Sequence, residues 1–482
     1  MAIAGTVENA GAALGTSKPG QAAAAKAPSA LDVAFQEVLT GARREKFLPV
    51  TRYALMDRLT QAHAWSGTGA AEARRFFRYL DYWRQQTYAA SLLDLEQSYE
   101  PFSPDSDLLI TRKFTAEERH TLQKRLVSSV EHLLTQANYT RIDPQDIELI
   151  MTKESHYGLD LHVDMGAFEE ILIFFRGAAT QTQSRRSRKK FYLRKEEFEL
   201  PIFQRLFVLF KLKPEEVRIR EVMAAKSCDR VEAQKIVEKL RALLPPQVKS
   251  DMVYLKLFKN IPRTDLEMVF PNTKIKFRLF DKLKLGVTAG GGLGMGIFGT
   301  AGKIAVATNP IALAGAVLGL GGVAVRQGMS FINQKNKYMV TMAQNLYFHA
   351  MADNRGVMTL LADRAAEEDI KEEMLLYAVL AKERVNIRDI GEIDAAIEQY
   401  MSHTFDADVN FDVHDALSRL VHDGIVTQLA DGTLECLPPA AASKHIDMLW
   451  DQFLDHLPDH VLEVGVEYEG EDSASATDAQ PL

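Results

Sequence analysis

The sequence predicts a mainly helical α+β fold interrupted by a short, glycine-rich transmembrane helical hairpin. Three observations carry that expectation. Long amphipathic helical runs fill the first 140 residues, strand-like runs appear between 141 and 284, and Leu285–Val325 holds a single formal charge, Lys303.

The N-terminal part reads as a helical domain over 31–140. "AEARRFFRYLDYWRQQTYAASLLDLEQSY" places Phe77, Leu80, Trp83 and Tyr88 at helical spacings and stops before "PFSPDSD". "TAEERHTLQKRLVSSVEHLLTQAN" opens with Thr115 and, three residues on, Glu118, the pattern of a capping box. Residues 1–30 are rich in Ala and Gly and lack both a basic start and a compact apolar run, so they read as a disordered arm.

An α+β domain follows over 141–284. "YGLDLHVDM" alternates and "FEEILIFFRG" is strongly apolar, and both read as strands. "KKFYLRKEEFEL" is the expected partner strand across a loop built from "AATQTQSRRSR". "PIFQRLFVLFKL" and "DRVEAQKIVEKLRALL" are expected to be helical, "MVYLKLFKNI" a strand, and "PRTDLEMVFP" a short helix.

The stretch from 285 to 326 invites a nucleotide-loop reading that its companion residues defeat. In "GIFGTAGKI" the first glycine of a P-loop would stand where Ile297 is, and Ile304 replaces the Ser or Thr that would hold magnesium. Gly294, Gly296 and Gly299 spell G-x-G-x-x-G, but no acid occurs between Asp281 and Asp353 to hold a ribose. A membrane hairpin fits better. Two apolar arms of about 24–27 Å, slightly short of a hydrocarbon core, flank a turn at Asn309-Pro310. The pairs Gly286/Gly290, Gly292/Gly296 and Gly315/Gly319 have the spacing that lets helices approach closely in lipid. Lys274, Lys276, Arg278, Lys282 and Lys284 precede the segment, and Arg326, Lys335 and Lys337 follow it, which puts both outer ends in the cytoplasm. Lys303 then sits near the far-side turn. The competing reading is a soluble Gly/Ala-rich hairpin buried between domains.

Residues 327–384 read as a helical segment, built from "FINQKNKYMVTMAQNLYFHAMA" and "AAEEDIKEEMLLYAVLAKE". From 385 to 458 the order helix, helix, hairpin ("DIGEIDAAIEQYMSHTF", "DVHDALSRLVHDGIV", "LADGTLECL") is that of a winged helix. Its recognition-like helix sets Asp412, Asp415 and Asp423 against a single Arg419, which disfavours phosphate contact and suits a protein partner. Residues 459–482 read as an acidic tail.

Composition agrees with a globular body: 46% of the 482 residues are hydrophobic and 25% charged. A net charge of −8 argues against a general nucleic-acid binder. Two distant cysteines, Cys228 and Cys436, suit a reducing compartment.

Two clusters could carry binding or chemistry. Asp160, His162 and Asp164 alternate along a strand, so one face would present carboxylate, imidazole and carboxylate to a divalent metal. A solvated polar face opposite Leu159, Leu161 and Val163 is the competing reading. Arg185, Arg186, Arg188, Lys189 and Lys190 form a basic cluster suited to anionic lipid headgroups. No nucleophilic triad is recognisable, and no cofactor is implied.

With these segments in place, "LEQSYEPFSPDSD", "DMGAFEEILIFFRG" and "VYLKLFKNIPRTDLEMVFPNTKIKFRLFDKLKLG" resemble a family of predicted membrane proteins of unknown function (domain of unknown function 3754), which includes animal transmembrane protein 143. The resemblance runs from about Phe77 to Leu380. It implies a membrane-associated protein with two spans and supplies no catalytic residues. The expected setting is a bacterial inner membrane with cytoplasmic soluble domains, or a mitochondrial membrane in a eukaryote. The sequence therefore points to a non-enzymatic scaffold contacting lipid, protein or a second copy. A metal-dependent enzyme and a soluble winged-helix interaction module are the alternatives.

Overall fold

The computed structural model describes residues 44–105, 112–143, 159–186, 195–242, 244–271, 273–277, 346–456 and 466–467, with a few positions between 33 and 40. The expected arm at 1–30, the hairpin at 285–326 and most of the tail at 459–482 lie outside these residues.

Apolar residues at helical spacing form α1 (Arg52–Leu59), α2 (Gly69–Tyr99) and α3 (Ala116–Gln136). The capping box is present: the Glu118 amide donates to Thr115 Oγ1 at 3.2 Å, and the Thr115 amide to Glu118 Oε2 at 2.7 Å. Between α2 and α3, β1 (Arg112–Lys113) pairs with β12 (Val466–Glu467), so part of the expected tail is in a strand.

The central sheet is antiparallel throughout, in the order β2 (Thr140–Arg141), β4 (Phe168–Arg186), β5 (Lys195–Leu212), β6 (Val253–Pro262), β8 (Ala350–Asp353). Two expectations fail here. "PIFQRLFVLFKL" is strand, not helix, because β5 lies between β4 and β6 and both its faces are buried. A central strand with two covered faces is apolar without alternation, which periodicity does not separate from a buried helix. The stretch expected as a loop, "AATQTQSRR", continues β4 instead. It pairs with β5 for seven residue pairs beyond Ile202↔Pro262, from Thr180↔Pro201 to Arg186↔Lys195, as a two-stranded ribbon.

The inner face of the sheet packs on helices. Phe174, Phe207, Leu209, Leu255 and Leu257 meet Leu95 of α2, Leu126 of α3 and Leu361 of α6 (Asn354–Leu380). The outer face, with Phe175, Leu206, Val208, Phe210, Tyr254 and Phe258, is covered by Val163, Leu266 and Phe270. Val163 ends β3 (Leu159–Val163), which pairs with β7 (Thr273–Phe277); Leu266 belongs to the 3-10 turns at Arg263–Val269. The helices α4 (Glu215–Lys226) and α5 (Arg230–Arg241) pack on each other through Ile219, Val222, Ala233 and Val237. Ala350–Asp353, expected to be helical, forms the edge strand β8 next to β6.

The C-terminal order is as the sequence suggests. Helix α6 leads into β9 (Val385–Asn386), α7 (Ile390–Phe405), α8 (Val413–His422), β10 (Val426–Gln428) and β11 (Thr433–Cys436), with sheet order β10-β11-β9. The order helix, helix, hairpin that the sequence suggests is present with β9 as a third strand, followed by α9 (Pro439–Asp451). The core of this region is shared with the N-terminal helices: Leu55, Phe76, Phe77 and Leu80 pack with Met374, Tyr377, Leu417, Leu420 and Ile446. Among the described residues, no helix is long and apolar enough to cross a membrane.

Candidate functional site

Helix α6 is buried on nearly every side, yet its middle reads Glu368, Asp369, Ile370, Lys371, Glu372, Glu373. All five charged side chains are buried, Glu373 completely, and Lys371 is 2% exposed. Charges in such a place persist only when paired and hydrogen-bonded. The pairing is spread over three parts of the chain.

The first group ties α6 to the N-terminal segment and the sheet. Glu368 Oε1 accepts from Arg176 Nη2 at 2.5 Å and Lys371 Nζ at 2.7 Å, and Oε2 accepts from the Leu48 amide at 2.9 Å. Lys371 Nζ also donates to Leu48 O at 2.7 Å. Arg176 lies in β4 and stacks its guanidinium over the Phe47 ring, 4.4 Å from the centroid.

The second group joins α2, α6 and α8. Arg84 Nε donates to Glu373 Oε1 at 2.8 Å, and Arg84 Nη2 to Asp423 Oδ2 at 2.6 Å, where Trp83 Nε1 also donates at 3.1 Å. Arg419 of α8 donates through Nε to Glu373 Oε1 at 2.9 Å, through Nη2 to Glu372 Oε2 at 2.5 Å, and through Nη1 to Asp415 Oδ2. Asn138 Nδ2 donates to Glu372 Oε1 at 2.9 Å, and the Tyr88 hydroxyl to Asp369 Oδ2 at 2.7 Å. Asp369 Oδ1 lies 3.2 Å from Arg419 Nη1 in an ion pair without hydrogen-bond geometry.

Five carboxylates here face two guanidiniums, and the imbalance shows in their proton affinities. Burial pushes Glu372 up to about 8, Glu373 up to about 7 and Asp369 up to about 6, each against the opposing pull of Arg419 or Arg84. Burial works against the charge of Arg419, but Asp369, Glu373 and Glu372 outweigh it and raise its pKa. The cluster therefore holds protons near neutrality. A polar cleft of about 530 Å³ opens above it, with Thr87 and Ser91 on one wall, Ser128 and His132 on the other, and Asp369 and Arg419 in the floor.

Asp369, Glu372 and Asp415 bring carboxylate oxygens within 4.8 Å of one another, close enough to share a cation. Arg419 already takes that position, since its Nη atoms contact all three. Tyr88 and Asn138 claim the further oxygens of Asp369 and Glu372. The donor set fits an internal guanidinium rather than a metal ion.

In the sequence, Asp415, Arg419 and Asp423 stand out only as part of a recognition-like helix, and the charged residues of α6 not at all. "EDIKEE" between two apolar runs reads as an ordinary solvated helix face, and only three-dimensional burial reveals it. The winged-helix expectation needs a corresponding correction. Asp412, Asp415, Asp423 and Arg419 do not form one phosphate-facing surface: Arg419 and Asp423 turn inward, and Asp412 caps α8 by accepting from the Asp415 amide at 3.1 Å.

The candidates drawn from the sequence are placed as follows. Asp164 lies past the end of β3, and its Oδ2 accepts from Arg218 Nη2 at 2.7 Å. Asp160 and His162 stand opposite Lys276 and Lys274 in the β3–β7 register; their side chains lie outside the described residues. Arg185 and Arg186 end β4, opposite Glu196 and Lys195. Arg188, Lys189, Lys190, the six hairpin glycines (Gly286, Gly290, Gly292, Gly296, Gly315, Gly319), Lys303, Asn309 and Pro310 lie outside the described residues.

Residues 168–356 match the family described as "Protein of unknown function (DUF3754)". The match begins at the first residue of β4 and ends in the first turn of α6, so it takes in β4 to β8 and everything between. Over 168–356 the chain is similar to this domain of unknown function, and the matched region holds four of the five strands of the central sheet. The charged run of α6 and the winged helix fall outside the match. No solved structure matches the chain.

Proposed function

We propose that this chain is a non-catalytic, membrane-anchored scaffold whose described body lies in the cytoplasm and whose segment 285–326 enters the bilayer as a helical hairpin. The observation that supports this most is where the chain leaves and re-enters the body. Phe270, fifteen residues before the segment, is buried in the outer-face cluster of the sheet, and Leu346, twenty residues after its end, packs against that same cluster. A nearly uncharged stretch, Leu285–Val325, set between basic flanks and reached from one face of the body at both ends, suits a hairpin whose two ends share one side of a membrane. In this arrangement the outer face of the sheet looks toward the bilayer. The basic run that begins with Arg185 and Arg186 at the end of β4 then serves as the contact for anionic headgroups.

The test is topology in intact cells. In a variant lacking Cys228 and Cys436, a cysteine at Lys303 is expected to react with an impermeant maleimide from outside, and one at Ser330 only after permeabilisation. Equal labelling at both positions, or release of the protein by carbonate without detergent, overturns the hairpin.

A further inference from the structure

Four basic side chains meet on the inner face of the central sheet. Arg176 of β4 stands opposite Arg205 of β5, and Arg205 opposite Lys259 of β6, so the three form a row across adjacent strands. They lie on the face of Phe174, Phe207 and Leu257, which packs on the helices, and Arg364 of α6 joins them. Like charges directly opposite in an antiparallel pair repel and weaken the sheet. Tyr139, next to β2 and only 7% exposed, brings its phenol to the same place. Burial raises its pKa, while the charges of Arg176, Arg205 and Arg364 pull against that rise.

The nearby acids are already committed. Arg176 meets Glu368, which Lys371 shares, and Arg364 meets Glu367. Arg205 has no carboxylate. Its Nη1 donates to Gln204 O at 2.8 Å, and its other donors have no partner among the described residues. The same holds for the Lys259 amine and the Tyr139 hydroxyl, and Arg176 Nε is buried without a hydrogen bond. Burial lowers the pKa of Arg205, Tyr139 opposes the shift, and the charges of Arg176 and Arg364 add to it. In a chain with 65 acids against 57 bases, none of the described acids pairs with this guanidinium.

We propose that Arg205, Arg364, Lys259 and the Tyr139 hydroxyl bind a phosphate, either free or as the terminal group of a small soluble ester. Guanidinium forks, an ammonium and a phenol donate to oxygens on several sides of one anion, which suits a tetrahedral phosphate. The bound anion offsets the repulsion along the row, so binding stabilises the sheet. The site is built from described residues and does not depend on the hairpin.

The experiment is calorimetric titration of the full chain with inorganic phosphate and with glycerol 2-phosphate, at matched ionic strength in chloride, with acetate as control. Saturable binding of one phosphate per chain and none of acetate is the expected result, and the tighter of the two probes distinguishes a free phosphate from an ester. Arg205→Gln is expected to weaken it about 10- to 100-fold. Its melting temperature in chloride should stay at or above that of the wild type, because a repulsion has been removed. Lys259→Gln, at an exposed position, should weaken binding by less, and Arg230→Gln, on exposed α5, should leave it unchanged. Absence of saturable phosphate binding, an equal response to acetate, or wild-type affinity in a folded Arg205→Gln overturns the site. Should Arg205→Gln fail to fold, wild-type affinity in Lys259→Gln overturns it instead.

Discussion

Arg84 and Glu373 meet in the core through two contacts, Nε to Oε1 at 2.8 Å and Nε to Oε2 at 3.1 Å, although 288 residues separate them in the chain. The pair joins α2, which precedes the DUF3754 match, to the part of α6 that lies beyond it. Arg84 also holds Asp423, so one guanidinium fastens the N-terminal helices to the winged helix.

Removing that guanidinium leaves two buried carboxylates short of a partner. Arg84→Ala is therefore expected to destabilise the fold by about 3–5 kcal/mol, the range for breaking a buried pair from one side. Arg84→Lys keeps the charge but loses the fork that reaches Glu373 and Asp423 together, and should fall between wild type and alanine. Urea denaturation measures both. An alanine variant within 1 kcal/mol of wild type would show that the pair contributes little.

The carboxylates of α6 set a pH dependence of definite sign. Glu372, Glu373 and Asp369 have folded values of about 8, 7 and 6, above the ordinary 4.5 and 3.8. The folded chain keeps protons that the unfolded chain has released, so this contribution is complete below the unfolded values. It is lost as pH rises through the folded ones. Stability is expected to fall from pH 5 to pH 8, by about 1.4 kcal/mol per unit for each proton held in full. Glu372→Gln removes the highest of these groups and should flatten the upper part of the curve. A melting temperature that rises steadily from pH 5 to pH 8 contradicts the assignment.

Gly177 closes the "FFRG" stretch at a backbone φ of +73°, inside β4. A Cβ there would stand 2.2 Å from Gln204 Oε1 and 3.1 Å from Gln204 Cβ. The amide end of Gln204 can swing away, but the left-handed backbone remains strained by about 1–2 kcal/mol for any side chain. Gly177→Ala should therefore lower stability, and adding Gln204→Ala should restore only part of the loss. Full recovery in the double variant would assign the whole cost to the side-chain clash.

How far the sequence discloses this depends on what each signal reports. Helices α2, α3 and α5 and the winged helix were legible because each buries one stripe and solvates the other, as the Thr115/Glu118 capping box and the Leu417/Leu420 stripe illustrate. The strand β5 was not, since Phe207 and Leu209 serve one face and Leu206, Val208 and Phe210 the other, which erases alternation. Nor was the shared core: Phe76 and Leu80 pack with Met374 and Leu417, a contact between distant segments that no local pattern encodes. The charge cluster is the extreme case. Glu368 to Glu373 has the composition of a solvated face, and its burial depends on Arg84, Arg176 and Arg419 arriving from three other elements.

Arg419 provides the last prediction. In a winged helix that binds DNA, the second helix of the helical pair presents basic side chains to phosphates or base edges. Here the corresponding helix is α8, and its one arginine spends its donors on Glu373, Glu372 and Asp415. The side chains that α8 leaves exposed are His414, Ser418, Val421 and His422, with no lysine or arginine among them. Arg419→Ala is then expected to lower the melting temperature while leaving any affinity of the full chain for a mixed-sequence duplex unchanged. Fluorescence anisotropy at low salt, where phosphate contacts are strongest, reads the second quantity. A loss of duplex affinity in Arg419→Ala at a temperature where the variant remains folded would mean that Arg419 leaves the cluster to meet phosphate, and that α8 is a recognition helix after all.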